Sequence, residues 1–188
     1  MIQSRSDYIA YLNADRKALR VGNSPVRNLF HVIWQFQKLL RRVEYLTNCR
    51  RKPWDLPWFA WTKWRFKRSS IRLGFSISPN SIGKGLQIGH YGDIVINGKA
   101  RLGEGCAIAG AGVLVGEDLK NPEAPVIGNR CYLGPGCKII GPVKIADGVT
   151  IAANAVVVHD ILEPNITVGG IPARKISSET VMPETPPV

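Results

Sequence analysis

A six-residue beat dominates the second half of the chain. Ile82, Ile88 and Ile94 open it. Ile96, Leu102, Ile108 and Leu114 continue it two residues out of step. Ile127, Leu133, Ile139, Ile145, Ile151 and Val157 carry it to the last coils. An amphipathic helix repeats at about 3.6 residues and a half-buried strand at about 2, so neither explains a period of six. The pattern predicts a coil of triangular cross-section, each unit giving one short flat side and one corner. The aliphatic residue points inward. Four residues later a compact residue turns inward as well: Ala100, Cys106, Gly112, Cys131, Cys137, Val143, Val149 and Ala155. Stacked turns then pair as parallel strands around an aliphatic column.

This register gives Cys106, Cys131 and Cys137 a structural role as small buried hydrophobes. The four cysteines form no Cys-x-x-Cys pair, so a zinc ribbon is not expected and no metal is assigned. The beat lapses once, between Leu114 and Ile127. The intervening Gly116–Pro125 is polar and rich in turn residues, and reads as a loop that leaves the coil and returns. The Pro-rich stretch 178–188 reads as a disordered tail.

Residues 1–70 have a different composition. They hold 15 Lys and Arg against four Asp and Glu, whereas residues 71–188 hold ten of each. The whole +11 of the chain therefore belongs to the front, together with all five tryptophans. Ser6 is placed to cap a first helix in which Tyr8, Leu12 and Leu19 share a face. A second helix is expected from about Pro25 to Thr47. Its apolar side carries Phe30, Ile33, Trp34, Gln37, Leu40 and Tyr45, and its solvent side carries Lys38, Arg41 and Arg42. A third is expected over Trp58–Ser69. The domains are thus a basic, Trp-rich helical segment (1–70), the coil (71–177) and the tail. Three readings of the front compete. It covers the open edge of the first coil, or it docks on an anionic membrane surface through residues 50–68, or its charge meets nucleic acid. No nucleic-acid reading motif is present, and none is expected as a partner. No apolar signal core or membrane-spanning run occurs, which favours a cytoplasmic protein, with the membrane's inner face as a variant.

The repeat, the closing Gly169-Gly-Ile-Pro-Ala-Arg174 and the stretch Ile82-Gly-Lys-Gly-Leu-Gln-Ile-Gly-His90-Tyr-Gly-Asp-Ile-Val-Ile-Asn97 together resemble the hexapeptide-repeat acyltransferases. The likeness is to their serine-acetyltransferase-like branch, whose short relatives act in capsule and O-antigen synthesis. It covers roughly residues 70–177. It implies a left-handed parallel β-helix, mainly β, behind an N-terminal α-helical segment. It also implies a homotrimer with active sites between subunits, and O-acetyl transfer from acetyl-CoA.

The resemblance assigns His90 as the general base. A neutral imidazole, with an ordinary pKa near ~6.5, suits the removal of a hydroxyl proton during attack on a thioester. The other histidines read differently: His31 as a residue of an apolar helix, His159 as a surface residue at a late corner. By position in the family, Gly116, Gly134, Ala152 and Ala153 line the acetyl-CoA arm, and Arg174 and Lys175 meet its phosphates. Here the chain departs from serine acetyltransferases. Gly89 stands where their Asp precedes the His, no carboxylate lies one coil earlier, and Glu123-Ala-Pro125 replaces an Arg-His-Pro. Asp93 or a backbone carbonyl remains to orient His90. A sugar hydroxyl of a surface polysaccharide, free or lipid-linked, is therefore expected as acceptor. L-Serine is the alternative, and a catalytically inactive scaffold a third reading.

Overall fold

The structure, a computed structural model, describes residues 1–22, 24–49 and 53–181. Arg50, Arg51 and Lys52 of the expected membrane segment and residues 182–188 of the tail lie outside the described residues. The chain is mainly β, with helices at its front. The helices are α1 (Arg5–Ala18), α2 (Pro25–Phe30), α3 (Val32–Cys49) and α4 (Leu56–Leu73), the last preceded by a 3₁₀ turn at Pro53–Asp55.

Three parallel sheets follow, one for each face of the coil. The first face stacks β1 (Phe75–Ile77), β3 (Ile94–Ile96), β6 (Val113–Gly116), β9 (Lys138–Ile140) and β12 (Val156–Val157). The second stacks β4 (Arg101–Leu102), β7 (Val126–Ile127) and β10 (Lys144–Ile145), extended by single bridges to Ile82 and Ile161. The third stacks β2 (Gln87–Ile88), β5 (Ala107–Ile108), β8 (Tyr132–Leu133), β11 (Thr150–Ile151) and β13 (Thr167–Gly170). It is closed by β14 (Ala173–Ser177), which runs antiparallel.

The six-residue beat becomes this stack because equivalent aliphatics fall in register. Ile88 pairs with Ile108, Ile108 with Leu133, and Leu133 with Ile151. All four are buried, as are seven of the eight compact inward residues; Gly112 is only half-buried. Each fully buried Ile or Leu contributes about 1.5–3 kcal/mol. Leu114 departs from the expected register. It is half-exposed on the outside of β6, while Val113 and Val115 point inward. β6 is one of the longer strands, so its sides alternate at period 2 and the beat loses its inward residue there.

The helices cover the first coil. Ser4, not Ser6, caps α1, its Oγ accepting from the Asp7 N–H at 3.0 Å. The expected second helix breaks at His31, whose Nδ1 accepts from the Trp34 N–H at 3.2 Å and so caps α3. The larger departure is Arg41. It faces the interior rather than solvent, fully buried, with Nε 2.8 Å from Asp15 and Nη1 3.0 Å from Glu44. Its guanidinium also donates to the carbonyls of Ile82 and Gly83. Asp15 accepts from the Gly85 and Leu86 N–H groups, Glu44 from the Asn80 N–H, and the Gln37 amide donates to the Leu86 carbonyl. The cluster satisfies backbone groups that have no earlier turn to pair with. Gly74, with φ +73°, ends α4 and turns the chain into β1.

At the far end the tail stays on the coil through Val181. Its N–H donates to Thr150 Oγ1 at 3.0 Å, and Thr167 donates to the Glu179 carbonyl. Threonine hydroxyls of β11 and β13 supply those partners and hold residues 179–181 against the coil. Among the described residues no helix is long and apolar enough to cross a membrane.

Candidate active site

The corner between the third and first faces is built from small residues, as is the corner at Gly83, Gly103, Gly128 and Ala146. Gly89, Ala109, Gly134, Ala152 and Gly169 stack there turn upon turn. A Cβ on Gly89 would come 3.2 Å from the Ala109 carbonyl oxygen. One on Gly134 would lie 2.5 Å from the Ile151 carbonyl oxygen and 2.9 Å from Ala152, and one on Gly169 would lie 3.3 Å from the Ala152 Cβ. Small residues line this edge as a track about 19 Å long, four steps of about 4.8 Å; Gly89 is exposed, Ala109 and Ala152 are half-buried, and Gly134 and Gly169 are buried.

His90 stands at the first step of the track, exposed, with Tyr91 exposed beside it. Gly110, at φ +96°, lies directly against it: a Cβ there would be 2.6 Å from the His90 carbonyl oxygen and 3.3 Å from its Cβ. The corner is pinned by the Gly89 N–H donating to Ile108 at 2.9 Å and the Gly92 N–H donating to Leu73 at 2.8 Å. Asp93 turns toward the Gly74 backbone. Among the described residues, no side chain is hydrogen-bonded to the His90 ring.

Gly134, Ala152 and Ala153 share the track with His90. Arg174 joins its end, paired across β13–β14 with Gly169. Lys175 is exposed on the same hairpin, its Nζ 2.6 Å from Glu163, so its charge already has a partner. Gly116 lies apart, at the opposite edge of the first face, where its carbonyl accepts from the Gly141 N–H at 3.0 Å. Its loop is tied down by Lys99, whose Nζ meets Glu117 at 2.9 Å and the Pro122 carbonyl at 2.9 Å. That contact holds the Glu117 carboxyl below its usual range.

Sequence reasoning passed over one member of the corner. Lys138 folds back so that Nζ donates to the carbonyls of Gly112 and Gly136. A Lys at the start of a strand carries no signal of this; the two glycine turns that receive it are the only hint. Cys106 and Cys137 are buried and held as thiols. Burial pushes the Cys137 thiol up to about 12; Cys106 is raised by the hydrogen bond it donates to Cys131 and by burial, and the same bond lowers Cys131. Among the described residues no cluster of His, Cys, Asp or Glu is arranged to hold a metal ion.

Residues 124–159 match the family model described as bacterial transferase hexapeptide (six repeats). Over that stretch the coil is similar to the hexapeptide-repeat transferases. The chain is 32% identical over 123 residues to a serine acetyltransferase of Mycobacterium tuberculosis, covering 62% of this chain and 51% of the relative. It is 36% identical over 98 residues to one of Helicobacter pylori, covering 51% of this chain and 57% of the relative. It thus spans about half the length of the curated relatives it matches. The structure of serine acetyltransferase from Brucella abortus in complex with coenzyme A shares the fold. Its TM-score is 0.75 at 24% identity, over 95% of this chain and 71% of that one, so the likeness reaches the helices as well as the hexapeptide coil. These relatives are named for serine, and the expected capsule and O-antigen branch finds no support among them.

Proposed function

We propose that the protein is an acetyl-CoA-dependent O-acetyltransferase with His90 as general base and a coil wound left-handed. The observation that carries this reading is the small-residue track that starts at His90 and ends at Arg174. The acceptor hydroxyl gives its proton to the His90 imidazole as its oxygen bonds to the acetyl carbonyl carbon. The C–S bond then breaks, and the imidazolium returns a proton to the departing thiolate. Gly134, Ala152 and Ala153 let the donor's arm lie against backbone, and Arg174 faces its phosphates, joined by Lys175 once it leaves Glu163. A homotrimer with sites between subunits gives Gly116 a place, on the edge offered to a neighbour. Four unpaired thiols and a donor made inside cells fit the cytoplasm.

L-Serine is the acceptor that the relatives' names favour. A neutral sugar hydroxyl is the second candidate, and one observation favours it. The loop 117–125 holds Glu117, Asp118 and Glu123 against the single cation Lys120, and Lys99 beside it is spent on Glu117. An amino-acid carboxylate finds little there to meet it.

Thiol release from acetyl-CoA tests the reading. Turnover is expected with a hydroxyl acceptor, and His90→Ala is expected to lower it by about 10²–10⁴-fold without changing the melting temperature. Unchanged turnover in that variant removes His90 as the base. Turnover with L-serine but not with sugars removes the second acceptor. Absence of both coenzyme A binding and turnover leaves a scaffold.

A further inference from the structure

The helix α4 is turned inside out. Its inner side, against α3 and the first coil, carries Thr62, Phe66, Ser70 and Leu73; Thr62 and Ser70 are buried, and Phe66 stacks on Phe36 at 5.4 Å. Its outer side carries Trp58, Trp61, Trp64, Arg65, Arg68 and Arg72, all exposed. Trp58, Trp61 and Trp64 are 52%, 50% and 48% accessible, far above what indole burial in a core would leave. Trp61 and Trp64 stack at 4.8 Å, Arg68 lies 5.0 Å over Trp64, and Arg42 of α3 lies 5.7 Å over Trp58. Packing of this chain does not ask for three tryptophans here, since the inner side is already filled.

The charge around them is one-signed. Residues 1–70 contain 15 basic and four acidic residues, and Arg41, Asp15 and Glu44 are buried together. That leaves 14 basic residues against Asp7 and Asp55. Beside the tryptophans, Lys38, Arg42 and Arg65 gather on α3 and α4. Burial first, and then the Arg42 and Arg65 charges, push the Lys38 ammonium below its usual range. A like-charged cluster of this kind is relieved by an anion.

We propose that the outer face of α3 and α4 is a docking surface for an anionic lipid bilayer, with Trp58, Trp61 and Trp64 in the interfacial layer and Lys38, Arg42, Arg65 and Arg68 on lipid phosphates. Indoles flanked by Arg and Lys match the depth profile of a headgroup region, apolar ring inward and cation at the phosphate. A second copy is a poorer occupant, because the same face on both partners would oppose two strongly basic surfaces. The proposal is independent of the proposed acetyl transfer, and its test reads no activity.

The test uses the full chain with vesicles of phosphatidylcholine alone and of phosphatidylcholine with phosphatidylglycerol. Sedimentation with the anionic vesicles only, weakening with salt and accompanied by a blue shift of tryptophan emission, is expected. The variant Lys38→Gln/Arg42→Gln/Arg65→Gln, at one half-buried and two exposed sites, should lower partitioning on the order of 100-fold. Trp58→Ser/Trp61→Ser should remove most of the blue shift, with unchanged circular dichroism in both variants. No sedimentation, or equal sedimentation with neutral vesicles, overturns the proposal. So does binding to duplex DNA or RNA without binding to vesicles. Self-association that the Trp58→Ser/Trp61→Ser variant abolishes, again without vesicle binding, overturns it in favour of a second copy.

Discussion

The coil and its helical cap dispose of buried polar groups by opposite means. In the coil each turn gives its backbone N–H groups to carbonyls of the next, as Ala107 does to Cys131 and Tyr132 to Val149, and the interior holds aliphatics and small residues. No charge enters that column. The cap instead buries two carboxylates and a guanidinium, Asp15, Glu44 and Arg41, where the first turn has nothing above it to bond. Side chains complete there what backbone does elsewhere. A repeating fold is therefore cheap to extend through its middle and costly to end, and the specific chemistry of this chain's stability is concentrated at the end.

Breaking the cap should have the largest effect on stability. Arg41→Met strands two buried carboxylates and is expected to cost about 3–5 kcal/mol. Denaturant unfolding followed by circular dichroism measures it, and a loss below about 1 kcal/mol would mean that the cluster is not holding the cap. Crowding the coil comes next. Gly134→Ala puts a methyl against the Ile151 carbonyl oxygen and the Ala152 backbone, and about 1–3 kcal/mol is expected because backbone on a neighbouring turn must move. The same variant should weaken binding of the acetyl donor, read by calorimetry, if the track holds that donor. The smallest effect is on the coil's surface. Asp147 accepts from the Asn129 N–H at 2.7 Å, which with the Asn129 side chain holds its carboxyl below the usual range. A carboxylate so depressed stabilises above its unfolded pKa, near ~3.9, and that contribution is lost as pH falls through the lower folded value. Being largely exposed, it is discounted to a few tenths of a kcal/mol. The melting temperatures of Asp147→Asn and the parent should differ slightly at pH 7 and converge as pH falls through the lowered carboxyl value.

The coil was legible in the sequence because its order is local and repeated. A six-residue unit meets a copy of itself about one turn later, so Ile88, Ile108, Leu133 and Ile151 announce one another. Where the repeat lengthened into an ordinary strand, at Leu114, the reading slipped to the wrong side. The cap was legible only as helices. Arg41 sat among charges on an apparently solvated face, and nothing near it in sequence showed that Asp15, 26 residues earlier, and the carbonyls of Ile82 and Gly83 would enclose it. His31 likewise read as one more helical residue, though its ring ends one helix and caps the next. At the candidate site, His90 and the small residues of the corner stood out by pattern. Lys138 did not, because a lysine's reach is set by the fold and not by its neighbours in the chain.

Asp15 accepts from amides 70 and 71 residues further on. The order of events in folding follows from that span. The helices are synthesised first, but the guanidinium of Arg41 has no enclosure until the turn at residues 82–86 has formed behind α4. Closing so long a loop is slow compared with winding a helix. During synthesis, then, the front of the chain waits as helices with an open polar seam, and the first turn of the coil is the event that seals it. The N-terminal segment leads in sequence and finishes after its successor.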